Sequence, residues 1–209
     1  MTMDLLLVRH GQTDWNPQQK IMGPHPIPLN QTGIQQAQNL RDWLKGVPIH
    51  AVYSSPMARA VETASIIIEG RKNLQVMPEK GVAEIDYGKW IGMTFGDVEK
   101  KYNKEYYDYR FRASTVKVPG GEAVVDVQKR CVAAIEKMRA NHVGEKVLVV
   151  SHADVLKAII IHYLGVSLDH LQCVGSDNGS LAVYRFGTDW GDRLMALNYF
   201  GDMRKILSW

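Results

Sequence analysis

Short apolar runs alternate with amphipathic stretches along the chain. Uninterrupted apolar runs lie at residues 5–8 and 147–150, and each has the length and composition of a buried strand. In other stretches, such as residues 34–44, apolar residues recur every three or four positions, which is the spacing of an amphipathic helix. This alternation predicts an α/β fold, a three-layer α/β/α sandwich in which helices cover both faces of a central sheet.

The remaining predicted elements continue this alternation. The apolar patterns predict further strands at residues 51–53, 74–77, 181–186 and 194–199. They predict helices from the N-cap Thr32 to Gly46, and over residues 57–69, 122–142 and 155–164. Only a short loop separates the last two strands, so the sheet is expected to be mixed and mostly parallel.

Residues 87–121 have the most unusual composition in the chain. After Tyr87, seven further aromatic residues are interleaved with basic ones there, namely Trp90, Phe95, Tyr102, Tyr106, Tyr107, Tyr109 and Phe111. Two interpretations stay open: a helical excursion that packs on the body of the protein, and a cap that faces a substrate. No linker or repeat divides the sequence, so residues 1–209 are expected to form one domain with residues 87–121 as a cap-like excursion.

Composition narrows the class of partner and the compartment. The net charge is only +3, and no basic run is long enough to follow a nucleic-acid backbone. No apolar stretch is long enough to cross a bilayer, and the first residues carry Asp4 rather than a basic leader. Cys131 and Cys173 have neither disulfide-like nor metal-ligand spacing, which indicates a reducing compartment. We therefore expect a cytoplasmic protein without nucleic-acid or membrane partners, in which the C-terminal Trp209 packs rather than binds.

Charged residues follow several predicted strands. Arg9 and His10 end the first strand, Arg59 lies in the first turn after the second, and His152 ends a later one. Because ligands bind at the carboxyl ends of strands in α/β sheets, these side chains are expected to converge. Arginines can neutralise phosphoryl oxygens while a neutral imidazole attacks phosphorus. Glu84 can protonate the leaving alkoxide, so the pattern predicts metal-free phosphoryl transfer through histidine.

The triplet Arg9–Gly11, with Asn16 beyond it, resembles the signature of the histidine phosphatase superfamily, in its phosphoglycerate mutase-like branch. Five further segments match in the same order, at residues 29–33, 53–60, 84–88, 120–122 and 150–153. The resemblance covers essentially the whole chain. It implies the phosphoglycerate mutase-like fold and a phosphomonoesterase that acts on a small phosphorylated metabolite, without a metal or another cofactor.

The resemblance also implies roles for individual residues. His10 would become phosphorylated, and Glu84 would be the proton donor. The implied phosphate pocket consists of Arg9, Thr13, Asn16, Arg59, His152 and the backbone of Ala153. The implied contacts to the rest of the substrate are Met22, Gly23 and Tyr87. Many relatives have glycine at the position of Ala153, but its N–H can still face a phosphate.

Two alternatives use the same residues differently. A metallohydrolase could use His10, Glu84, His152 and Asp154 as ligands, but two arginines would repel a cation at that place. A non-catalytic module could hold a phosphorylated ligand without turning it over. Binding alone needs no proton donor, so the presence of Glu84 argues against this second alternative.

A cofactor-dependent phosphoglycerate mutase is the third alternative. The resemblance implies that such mutases have a longer, proline-rich insertion between the proton donor, here Glu84, and the Gly-Gly-Glu segment, here residues 120–122. Here residues 85–119 contain no proline before Pro119. We therefore expect a phosphatase. The sequence does not name its substrate, and a homodimer stays an open possibility.

Overall fold

Within residues 2–201, which the computed structural model describes, the centre of the fold is a six-stranded sheet. Its strands are β1 Met3–Arg9, β2 Ala51–Ser54, β3 Val76–Pro78, β4 Lys146–Ser151, β5 Leu181–Thr188 and β6 Gly191–Tyr199. The order across the sheet is β3-β2-β4-β1-β5-β6. The first four strands of that order are parallel, whereas β5 runs antiparallel to both β1 and β6. The predicted mixed, mostly parallel sheet is confirmed.

Helices cover both faces of this sheet. They are α1 Gln31–Trp43, α2 Ala58–Ile67, α3 Phe95–Lys101, α4 Asn103–Phe111, α5 Val124–Asn141 and α6 Ala153–Tyr163. Leu6 and Val8 of β1 are buried in one apolar cluster with residues of α1 and α2. The alternate residues Leu5 and Leu7 are buried in a second cluster with residues of α5 and α6. Because successive strand residues face opposite sides, one apolar run supplies both cores, and the three-layer sandwich is confirmed.

Some predicted element boundaries are wrong. Thr32 is not the N-cap of α1, because the Asn30 side chain accepts a hydrogen bond from Gly33 N at 3.0 Å and the helix begins at Gln31. The third strand does not begin at Leu74, whose N–H closes a turn onto the Arg71 carbonyl at 3.1 Å. Trp209 lies outside the described residues.

Residues 87–121 fold into a segment that contains α3 and α4 and packs on the α5–α6 side of the sheet. A capping box formed by Thr94 and Asp97 begins α3. Trp90 and Tyr109 are fully buried against each other, with ring centroids 5.5 Å apart in an edge-to-face arrangement. These aromatic residues therefore pack on the body of the protein, as the first interpretation of the segment holds. No helix in the described part of the chain is long and apolar enough to span a membrane.

The loop after β1 lies directly against the start of α1. A Cβ added to Gly11 would lie 2.4 Å from the Gly33 carbonyl oxygen, and a Cβ added to Gly33 would lie 2.1 Å from the Gln12 carbonyl oxygen. Both distances are below van der Waals contact, and the neighbours are backbone atoms that cannot rotate away. Glycine at these two positions thus permits a close approach between two backbone segments.

We predict that Gly33→Ala destabilises the protein by about 2 kcal/mol, the usual cost of overpacking a dense site. The matched control is Gly96→Ala in α3, where an added Cβ would approach nothing closer than 3.8 Å. That variant should be unchanged or up to about 1 kcal/mol more stable, since alanine favours helix. Urea unfolding of both variants measures the difference. Equal stability of Gly33→Ala and the parent protein would contradict the contact.

Candidate active site

The ends of three parallel strands bring the predicted catalytic residues together. Arg9 ends β1 and pairs with Ser151 at the end of β4, and His10 N donates to the Ser151 carbonyl at 3.0 Å. The rings of His10 and His152 consequently lie 5.1 Å apart between centroids. The end of β2 adjoins them, since Ser55 N donates to the Val150 carbonyl at 2.9 Å. The site forms at the carboxyl edge of the sheet.

His10 is held as a neutral imidazole with one nitrogen available. Its Nδ1 donates to the Gly11 carbonyl at 2.7 Å, which leaves the lone pair on Nε2. Asn178 donates from Nδ2 to the His10 carbonyl at 3.1 Å and fixes the backbone there. Burial, together with the charges of Arg59 and Arg9, holds the pKa of His10 well below its usual value. A buried imidazole of this kind is a competent nucleophile at neutral pH.

Two buried guanidinium groups lie beside this histidine. Arg9 donates from Nη1 to the Ser176 carbonyl at 2.6 Å. Arg59 donates from Nη1 to the His25 carbonyl at 3.0 Å and from Nη2 to the Gly23 carbonyl at 2.9 Å. Among the described residues, neither Nε atom has a hydrogen-bond partner. Buried cations with unused donors suit an anionic ligand. Gly23 contributes by orienting Arg59 and is not part of the cavity wall.

Glu84 lies against both Arg59 and His152. Its Oε2 is 3.4 Å from Arg59 Nη2 and 3.3 Å from His152 Nδ1, and its Oε1 accepts from Ile85 N at 3.0 Å. Burial raises the pKa of Glu84 to about 7, although Arg59 opposes the shift. A carboxyl group with this pKa holds its proton near neutral pH and can give it to a leaving group.

His152 is oriented by Ser55, a residue that was not among the predicted site residues. His152 Nε2 lies 2.7 Å from Ser55 Oγ, which also accepts from Met57 N at 3.3 Å. Burial and the nearby Arg59 hold the pKa of His152 well below its usual value. Ala153 follows as the first residue of α6, lines the cavity, and places a helix N-terminus at the site. The position of Ser55 directly after β2 was the available signal for its role.

The loop after β1 is folded by its own polar groups. Thr13 donates from its backbone N and its Oγ1 to Asn16 Oδ1, at 2.8 and 3.0 Å. Thr13 Oγ1 also lies 3.2 Å from the Met22 sulfur. Asn16 and Met22 line the cavity, whereas Thr13 is buried behind them. Of these three predicted residues, Thr13 therefore stabilises the loop through its hydrogen bonds and does not line the cavity.

The catalytic groups open into a cavity of about 720 Å³. The predicted residues that line it are Arg9, His10, Asn16, Met22, Glu84, Tyr87 and Ala153. Other polar residues that line it were given no substrate-binding role from the sequence, among them Lys20, Tyr109, Arg110, Lys157 and Gln172, and Asp154 was considered only as a metal ligand. The segment of α3 and α4 supplies several lining residues, so this segment packs on the body and faces the cavity at once. The basic residues interleaved with its aromatic ones were the signal for Arg110.

A divalent metal ion does not fit this arrangement. Ligand atoms of His10, Glu84 and His152 lie within 4.8 Å of one another. The positively charged Arg59 guanidinium, however, lies 3.4 Å from the same Glu84 oxygen that would have to bind the ion. Asp154, the fourth ligand of the metallohydrolase alternative, accepts hydrogen bonds from Tyr87, Tyr109 and Lys157 instead.

Known proteins with similar sequences or structures include phosphatases and mutases. Phosphoserine phosphatase 1 of Hydrogenobacter thermophilus is 35% identical over 179 residues, which are 86% of this chain and 84% of that protein. A 2,3-bisphosphoglycerate-dependent phosphoglycerate mutase of Parvibaculum lavamentivorans is 27% identical over 193 residues, 90% of this chain and 92% of that protein. The structure of Bacillus stearothermophilus YhfR superimposes with a TM-score of 0.84 at 30% identity, over 98% of this chain and 99% of that one.

The family model named histidine phosphatase superfamily (branch 1) matches residues 5–198. This match contains β1 with its Arg9–Gly11 triplet, the Glu84 segment and the β4–α6 junction with His152. The site geometry, the sequence match and the shared fold therefore agree, and the chain belongs to the histidine phosphatase superfamily.

Proposed function

We propose that this chain hydrolyses a small phosphomonoester in two steps through a phosphohistidine on His10. The observation that carries the proposal is the hydrogen bond from His10 Nδ1 to the Gly11 carbonyl, which leaves the lone pair on Nε2 beside the fully buried Arg59 and the partly buried Arg9. Mere binding of a phosphate would not need a carboxyl group whose pKa is raised to about 7. The site thus supports turnover over passive binding.

In the first step His10 Nε2 attacks phosphorus and the ester P–O bond breaks. Arg9 and Arg59 neutralise the charge on the non-bridging oxygens, and the amide of Ala153 at the start of α6 points positive charge at the same group. Glu84 gives its proton to the departing alkoxide. The products are an alcohol, phosphohistidine and an ionised Glu84.

In the second step water replaces the imidazole on phosphorus. Glu84, now a carboxylate, accepts a proton from the attacking water, and the N–P bond breaks to release inorganic phosphate. His10 recovers its lone pair and Glu84 its proton, so the enzyme returns to its starting state.

Hydrolysis is favoured over mutase chemistry by the size of the cap. Between Ile85 and Pro119 the cap has two short α-helices, of seven and nine residues, and one turn of 3-10 helix at Gly88–Trp90. A mutase has to keep water away from its phosphohistidine while the product turns around. The phosphoserine phosphatase relative is also more similar, at 35% identity, than the mutase relative at 27%. We propose that water is the usual acceptor.

The basic residues of the cavity wall favour a substrate with a second anionic group. Lys20 and the exposed Arg110 line the cavity and form no ion pair with any residue in positions 2–201, although Arg110 Nη1 donates to the Tyr106 hydroxyl at 2.9 Å. A guanidinium and an ammonium group at this place suit a carboxylate on the alcohol part of the substrate. Phosphoserine carries such a group, and one relative is named for its hydrolysis. We propose a carboxylate-bearing phosphomonoester as the substrate.

His10→Ala should abolish turnover, because no other imidazole nitrogen can attack phosphorus from this position. The parent protein, mixed briefly with ³²P-labelled substrate and quenched in alkali, should retain label on a peptide that contains His10. Label should persist in excess chelator, since no step uses a metal. The control His170→Ala removes an exposed imidazole and should keep full activity. Normal turnover by His10→Ala would refute the mechanism.

Glu84→Gln should slow hydrolysis of an alkyl phosphate by roughly 100-fold, the usual contribution of a general acid. An aryl phosphate with a good leaving group should lose far less. In the parent protein, kcat on the alkyl ester should fall as the pH rises through about 7, because Glu84 then loses the proton that it donates.

Glu84→Gln should lack this alkaline fall, since an amide does not titrate. Glu69→Gln, which changes an exposed carboxylate paired with Arg41, serves as the control and should keep the parent profile. Equal losses on the alkyl and the aryl ester would instead place Glu84 in substrate binding or folding.

Arg110→Leu and Lys20→Met should each raise KM for phosphoserine about tenfold, which corresponds to about 1.4 kcal/mol of binding free energy, while kcat changes little. The same variants should leave KM for phosphoethanolamine, which lacks the carboxylate, nearly unchanged. Lys100→Met removes an exposed charge from the same cap away from the cavity and is the matched control. An equal effect on both substrates would rule out carboxylate recognition by these residues.

A further inference from the structure

Asp154 is a buried carboxylate that the proposed mechanism does not use. It lies in the first turn of α6, two residues after His152, and its side chain is 8% exposed. Its Oδ2 accepts hydrogen bonds from Tyr87, at 2.8 Å, and from Tyr109. Its Oδ1 accepts from Lys157 Nζ at 3.0 Å. Removing a carboxylate from water costs free energy, and the hydrogen bonds that compensate for it here point to a role for Asp154.

The hydrogen bonds of Asp154 join three parts of the site. Tyr87 lies three residues after Glu84, so its hydroxyl ties the segment of the proton donor to α6. Tyr109 lies on α4, and its hydroxyl ties the cap to the same carboxylate oxygen. The two hydroxyl oxygens are themselves 3.0 Å apart. Asp154 thus connects the start of α6, the segment that carries Glu84, and the cap.

The charge of Asp154 acts on Glu84 as well. Two carboxylates that share one buried region resist being ionised together, because each negative charge disfavours the other. Lys157 is the counter-ion that keeps Asp154 itself ionised, and Gln172 Oε1 holds this lysine at 3.0 Å. Although burial alone would raise the pKa of Asp154, Lys157 and the two hydroxyls hold it below its usual value.

We propose that Asp154 is a positioning residue for the proton donor: it ties the Glu84 segment to α6, and its negative charge adds to the burial that keeps Glu84 protonated for the first step. This role rests on the proposed function, in which Glu84 is the general acid. Lys157 keeps Asp154 ionised and is therefore required for the effect.

The surroundings of Glu84 agree with this role. Burial is the largest cause of its raised pKa, and Asp154 adds to the rise while Arg59 and Arg9 oppose it. The titratable and charged groups that face Glu84 from the surrounding elements are Arg9 and His10 after β1, Arg59 in α2, Tyr87, Tyr109 in α4, Arg130 in α5, and His152 and Asp154 at α6. Among these groups Asp154 is the one carboxylate, so its negative charge favours the protonated form of Glu84.

The test uses two substitutions that remove the negative charge. Asp154→Asn keeps the shape of the side chain and Asp154→Ser replaces it with a smaller polar one, so in both variants the alkaline fall of kcat on an alkyl phosphate should move to lower pH. Each shift should be roughly half a pH unit or more, the order expected for one unit charge in a protein interior. Asp126→Asn removes an exposed carboxylate of α5 that pairs with Lys129 and is the control, whose fall should stay in place.

The outcomes separate the two proposals. If the fall persists in Glu84→Gln, Glu84 is not the titrating acid and the proposed function fails. If that fall disappears in Glu84→Gln but does not move to lower pH in Asp154→Asn, Asp154 has only a structural role and the proposal is overturned. Should Asp154→Asn not fold, the downward shift in Asp154→Ser decides the matter, and its absence would overturn the proposal.

Discussion

Two guanidinium groups removed from water set the electrostatics of the whole site. Arg9 is largely buried and Arg59 entirely so, and the carbonyls of Ser176, His25 and Gly23 replace part of their hydration. Their positive charge suppresses protonation of His10, which is required for a nucleophile. The same charge would ionise a nearby carboxyl group, which is harmful for an acid catalyst. Burial therefore has to outweigh the effect of the arginines at Glu84, so that this carboxyl group keeps its proton. At His10, burial and the arginines act in the same direction and keep the imidazole neutral.

The sheet makes this arrangement possible by its register. Because Arg9 pairs with Ser151, the residues that follow them bring two histidine rings within 5.1 Å between centroids without any long side chain reaching across. The adjoining end of β2 supplies Ser55, which orients His152 Nε2. Parallel pairing of three neighbouring strands therefore does the positioning that loops alone would do less accurately.

The sequence was sufficient for the sheet, for the layers and for the strand-end cluster. Continuous apolar runs such as residues 5–8 can only be buried on both faces, and parallel strands bring their carboxyl ends to one edge. It was insufficient where the decisive contact is between residues distant in the chain. The bonds from Tyr87 and Tyr109 to Asp154 span 67 and 45 positions and leave no periodic trace. Likewise, Asn30 rather than Thr32 caps α1 because of local side-chain geometry that composition does not distinguish.

The contact between Gly11 and Gly33 fastens the nucleophile loop to α1, which packs on one face of the sheet, whereas the cap packs on the other. Gln12 strengthens this attachment, since its backbone N donates to the Gln36 side chain at 2.8 Å and its carbonyl accepts from Asn30 N at 3.0 Å. Substitutions in α3 and α4 can therefore reshape the mouth of the cavity while the groups that attack phosphorus keep their support. Within such a scaffold, new substrates can be acquired during evolution without rebuilding the reaction.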